Sequence, residues 1–186
     1  MEFTNTPLYG GAITVDLPSS FADASQIRQI PDNQEVYLDN SGYSSIVVEI
    51  LEYVDKSSDE EALQYHFADL VDGTDDATTV VEQVGASMKS LPSTPLLTLS
   101  FVQTPPSINP HPNRKTPEYT FIHLLLLRLK EQETDILITI NVPHYPGEYE
   151  KPAMGQQETE LMRSSKLVRE KVLETFEVKE WGLFEG

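Results

Sequence analysis

Residues 34–54 read QEVYLDNSGYSSIVVEILEYV, and whether this stretch is a hairpin or a strand followed by a helix decides the fold. QEVYLD (34–39) alternates polar and apolar side chains, and SSIVVEILEYV (44–54) opens on the β-branched run Ile46, Val47 and Val48, which favours a strand. The intervening Asn, Ser and Gly suit a four-residue hairpin loop. Pairing Asp39 with Ser44 then sets Gln34 across from Glu49 and Asp32 across from Leu51, beside Glu52. In that register Asp32, Glu35, Glu49 and Glu52 gather at one end of the hairpin. A helical VVEILE would instead carry Glu49 and Glu52 three apart on one face, and a slip of one residue would turn every side chain over.

Outward from the hairpin, ITVDLP (13–18) reads as a short strand closed by proline, and SSFADASQIRQIPDN as a short helical turn followed by a turn at Pro31 and Asp32. Ser57 with Glu60 matches a capping box opening DEEALQYHFADL, a helix of about three turns. Its inward stripe is Ala62, Leu63, His66, Phe67 and Leu70, with His66 expected as a satisfied, partly buried histidine and not a ligand. TVVEQVG and LLTLSFVQ are further strands. The proline-rich 104–117 forms an irregular loop. YTFIHLLLLRL places Phe121, His123, Leu125, Leu127 and Leu129 on one face and Ile122, Leu124 and Leu126 on the other, which implies a central strand covered on both sides. LLLLRLKEQE also has helical propensity. DILITINVP follows as a strand, then a loop, then ETELMRSSKLVREKVLETF, a long helix whose Leu161, Ser165, Val168, Val172 and Phe176 face the sheet. The sum is an α+β fold: a mostly antiparallel β-sheet between helices, an α/β/α sandwich, in one domain spanning 1–186.

The 186 residues carry 30 acids against 13 Lys and Arg, a net charge of -17. The imbalance is local: residues 1–82 hold seventeen acids against Arg28 and Lys56, whereas 83–186 hold thirteen acids against eleven bases. Such a field repels nucleic acid and anionic membranes and favours encounter with a basic protein surface. No cysteine is present, so disulfides and thiolate chemistry are excluded. MEFTNTPLYGG lacks the pattern of a signal peptide, and FIHLLLL is too short to span a bilayer. A soluble intracellular monomer is the expectation.

Catalytic motifs are missing. The chain contains neither a phosphate-binding glycine loop nor a serine-hydrolase or zincin signature, and the glycines of GGA (10–12) serve more simply as a strand entrance. His66, His111, His123 and His144 lack metal-ligand spacing. Glu133 and Asp135 could form an acid/base pair, but in a hairpin turn they read as solvated. The hairpin acids could hold a divalent cation on composition alone. The expectation is a non-enzymatic protein with no cofactor.

The ordered set LYGGAI, IPDNQEVY, SIVVEILE, LQYHFADL and TDILITINVP resembles the Ran guanine nucleotide release factor (Mog-one) family, in a fungal-type member. The resemblance implies an antiparallel sheet between helices, similar to the PsbP fold. It also implies a nuclear protein, with the cytoplasm also open, that binds the small GTPase Ran in its GTP-bound or nucleotide-free form. The family promotes release of Ran's guanine nucleotide and so acts in nucleocytoplasmic transport. Its acidic contact positions correspond here to Glu49 and Glu52, with Pro31, Asp32, Gln34 and Glu35 alongside. The alternative is an acidic adaptor that docks a basic partner without affecting nucleotide exchange.

Overall fold

A computed structural model describes residues 1–107 and 113–186. The chain runs through β1 (Phe3–Leu8), β2 (Ile13–Pro18), β3 (Phe21–Asp23), β4 (Gln34–Asp39), β5 (Ser45–Glu52), α1 (Asp59–Val71), β6 (Ala77–Met88) and β7 (Leu91–Thr104). It continues with β8 (Tyr119–Leu129), β9 (Thr134–His144), α2 (Glu160–Thr175) and β10 (Glu177–Val178). Seven strands form one sheet in the order β3-β4-β5-β9-β8-β7-β6, and β1-β2-β10 form a second. All described pairings are antiparallel.

The hairpin register is the one the loop implies: Gln34 opposes Glu49, and the ladder runs to Leu38 opposite Ser45. Asp39 N–H donates to the Ser44 carbonyl at 3.0 Å, closing the turn. The LLLL run is a strand, not a helix. Between β7 and β9 it buries both faces, as its unbroken apolar sequence demands. On one face Ile122, Leu124 and Leu126 join Leu99 and Phe101 under Ala62 and Leu63 of α1. On the other, Leu125, Leu127, Ile136, Ile138 and Ile140 pack against Val168, Val172 and Phe176 and the smaller sheet. Each buried Leu or Ile contributes on the order of 1.5–3 kcal/mol, so these two layers dominate stability.

Several expectations are corrected. Ser58, one residue later than expected, caps α1 by accepting from Glu61 N–H at 3.2 Å. Both β1 and β3 are strands that the sequence pattern does not reveal: FTNTPL contains a proline and little apolar alternation, and FAD is only three residues long. Asp135 is not solvated. It is fully buried, 3.0 Å from Arg128 Nε and 2.8 Å from His66 Nε2, so Glu133 and Asp135 make no acid/base pair in a turn. His111 lies outside the described residues.

Candidate partner-binding surface

The acids of the hairpin do not form one cluster. Side chains alternate along a strand, so Glu49 lies on the α1 face with Gln34, whose Nε2 donates to Glu49 Oε1 at 2.5 Å. Glu35 and Glu52 lie on the opposite face, the side of Val48 and Ile46. Asp32 is exposed in the turn closed by Gln34 N–H to the Pro31 carbonyl at 2.9 Å, and it has no ladder partner.

Glu35 is half-buried and committed to the fold. Its Oε1 accepts from Tyr9 N–H at 2.5 Å. Tyr9 itself is held at φ 49, a conformation common only for glycine, and its hydroxyl donates toward the Asn33 and Val48 carbonyls at 3.0 and 2.8 Å. The LYGG turn is thereby fastened across the root of the hairpin. Burial raises the Glu35 carboxyl above the ordinary carboxylate range, opposed by the Tyr9 N–H and aided by Asp23. Burial, with the Glu35 and Glu49 charges, pushes the Tyr9 phenol up as well. Burial and the Glu35 and Asp23 charges push the Tyr37 phenol up to about 12.

The far end of β5 is built differently. β5 pairs with β9 as far as Glu52 opposite Thr134, but with β4 only to Glu49, after which Ile50 N–H donates to the Asn33 carbonyl at 2.9 Å. Leu51 and Glu52 therefore project past β4. The chain leaving them is pinned from beneath: Val54 N–H donates to Asp135 Oδ2 at 3.0 Å, Arg128 Nη2 to the Val54 carbonyl at 2.7 Å, and the Arg128 guanidinium lies 4.0 Å from the Tyr53 ring centre. A buried ionic network thus fixes the backbone that presents Glu52. Sequence pattern misses it because Arg128, Asp135 and His66 come from three elements.

A second buried polar chain lies far from this end. Ser100 Oγ is 2.7 Å from His123 Nδ1, and His123 Nε2 is 2.9 Å from Ser165 Oγ, which donates to the Met162 carbonyl. Ser165 therefore accepts from the Nε2 proton, leaving Nδ1 to accept from Ser100. Burial, with Arg169 and Lys166, lowers the His123 pKa to about 3. A base so weak does not activate Ser100 near neutral pH. Among the described residues, no three His, Cys, Asp or Glu side chains converge to hold a metal ion, the hairpin acids included.

A sheet with helices on both faces, rigidly presenting carboxylates at a projecting strand end, is a module suited to binding another protein. Comparison with known proteins places it. The family model of the Ran-interacting Mog1 protein matches residues 6–143, and the chain belongs to that family. It is 35% identical over 159 residues to the Ran guanine nucleotide release factor of Danio rerio, covering 82% of this chain and 85% of that protein. It is 33% identical over 159 residues to the nuclear import protein MOG1 of Saccharomyces cerevisiae, covering 77% and 67%. The crystal structure of the S. cerevisiae Ran-binding protein Mog1p matches with a TM-score of 0.76 at 28% identity, covering 99% of each chain.

Proposed function

We propose that this chain binds the small GTPase Ran and promotes release of its guanine nucleotide, serving nucleocytoplasmic transport as its named relatives do. It acts as a regulator without chemistry of its own, from the nucleus, through one domain spanning 1–186. The observation that carries the site is the strand end where β5 outruns β4, with exposed Glu52 on one face and half-buried Glu49, at the last rung of the β4 ladder, on the other. Pro31, Asp32 and Gln34 flank it in the adjoining turn, and Glu35 contributes by holding that turn to Tyr9.

Rigid presentation limits the entropy lost on docking, and local negative charge speeds encounter with a basic face. A GTPase holds its nucleotide through a lysine, backbone amides and magnesium. Carboxylates delivered nearby weaken that hold by competing for the lysine or disturbing the magnesium shell.

The test is release of a fluorescent guanine nucleotide from Ran at two salt concentrations, with the wild-type chain and with Glu49→Lys, Glu52→Lys. Faster release that salt weakens and the variant loses supports the reading. Binding without acceleration would leave an adaptor, and the release function would be wrong.

A further inference from the structure

Glu52 does not stand alone at the strand end. It lines a groove of about 610 Å³ with Ile50 and Tyr53 of the same segment, Glu133 of the β8–β9 turn, and Leu183 and Phe184 from the turn at 181–184. That turn belongs to the far end of the chain, brought here because Leu183 and Phe184 pack on the core between the main sheet and the smaller one. Beside Phe184, with ring centres 5.9 Å apart, stands Trp181, 41% exposed and the chain's single tryptophan.

The groove has two chemistries side by side. Neither Glu52 nor Glu133 has an ion-pair or side-chain hydrogen-bond partner among the described residues, and no Lys or Arg lines the groove. Its other wall is aliphatic and aromatic. An exposed tryptophan beside Phe184, at the edge of a groove that holds unpaired carboxylates, matches the composition of interface anchors, where a large ring supplies contact area at little entropic cost and charges at the rim set orientation.

We propose that the turn at 181–184 is part of the Ran-binding surface: Trp181 and Phe184 form its apolar anchor, and Glu133 joins Glu52 in holding a basic side chain of Ran. The inference rests on the proposed binding of Ran and extends the site to a segment more than a hundred residues from the hairpin in sequence. The occupant is a surface segment of Ran with a lysine or arginine next to an apolar side chain. The acids meet its cation, and the rings cover its apolar stem.

The experiment measures Ran affinity for the wild-type chain, Trp181→Ala, Glu133→Gln and Glu52→Lys, together with the ¹⁹F spectrum of chain carrying 5-fluorotryptophan. The single tryptophan gives one resonance. Expected are a tenfold or greater rise in Kd for Trp181→Ala, a several-fold rise for Glu133→Gln, and a shift of the resonance when Ran is added. The resonance reads the contact directly should Trp181→Ala not fold. If Ran binds and Glu52→Lys weakens it, while Trp181→Ala stays within twofold and the resonance does not move, the extension to this turn is wrong and the Ran reading stands. If the wild-type chain does not bind Ran, both are wrong.

Discussion

Glu49 and Glu52, three residues apart on one strand, stand on opposite faces of the sheet: Glu49 opposes Gln34 and Leu137 on the α1 side, and Glu52 opposes Thr134 on the side of Val48 and Ile138. One partner reaches both only where β5 projects beyond β4, by closing over the strand end. Their backbones are separated by about 10 Å along the strand. They touch different neighbours. Charge reversal at either position is expected to cost about 2 kcal/mol or more of Ran binding. The double variant should show the sum of the two losses to within about 0.5 kcal/mol. Titration calorimetry on the four proteins checks this, and strong non-additivity would show that the two acids grip one common group.

Glu35 makes a different prediction because its carboxylate serves the fold. Its pKa is raised in the folded chain, so ionisation costs more there than in the unfolded chain. Its contribution to stability is therefore most favourable at low pH and declines as pH rises above its ordinary value of 4.5. Glu35→Gln keeps an acceptor for Tyr9 N–H and removes the titration, so the difference in unfolding free energy from wild type should move in the variant's favour as pH rises through that range. Glu35→Ala strands the Tyr9 N–H at a cost of about 1–2 kcal/mol. Urea melts across pH measure both.

Removing the carboxylate of Asp135 leaves the buried Arg128 guanidinium with only the partly exposed Asp59 carboxylate, 3.7 Å from Nη1, to balance its charge, and takes the acceptor from Val54 N–H and His66. Asp135→Ala should destabilise by about 3–5 kcal/mol. Because the same group pins the backbone after Glu52, Ran affinity should fall even under conditions where the variant remains folded. Denaturant unfolding and Ran titration of this one protein test the two consequences separately.

The fold is legible in the sequence wherever one local signal decides it. NSGY between alternating runs fixes the hairpin and its register, and an apolar run covering both faces of 119–129 places that strand inside the sheet. The geometry of the candidate site is only half legible. Glu49 and Glu52 can be picked out, but their separation onto two faces depends on choosing strand over helix, and Asp32 falls in a turn outside the ladder. Asp135 reads as a turn acid because nothing nearby in sequence announces its burial. Its partner His66 lies 69 positions away, and only the packing of α1 on β9 supplies the reason. Trp181 gives no sequence signal either, since its place beside Phe184, at the edge of the groove that Glu52 lines, follows from where the last turn packs.

His123 ties stability to acid. It is fully buried, and its pKa is lowered from an ordinary 6.5 to about 3 by burial first and by Arg169 and Lys166 next. The unfolded chain therefore takes up this proton at a higher pH than the folded one. The stability contributed is present above pH 6.5 and lost as pH falls below it, about 2 kcal/mol of it by pH 5. Burial lowers His144 in the same direction, adding to the trend. His123→Gln should flatten the dependence between pH 7 and 5 relative to wild type while leaving Ran binding at pH 7 unchanged, since His123 is remote from the strand end. A slope as steep in the variant as in the wild type would show that other groups carry it.

Reciprocity constrains the proposed function most severely. If this chain lowers Ran's affinity for guanine nucleotide by some factor, bound nucleotide must lower Ran's affinity for this chain by the same factor, because the two paths to the ternary complex have equal free energy. Excess GTP should therefore displace the chain from Ran, and the ratio of its Kd values for GTP-loaded and nucleotide-free Ran should equal the ratio of nucleotide Kd values with and without saturating chain. Both ratios are measurable at equilibrium. Equal affinity for the two forms of Ran would mean that the acidic strand end only docks, since a ligand that does not discriminate between two states cannot shift the balance between them.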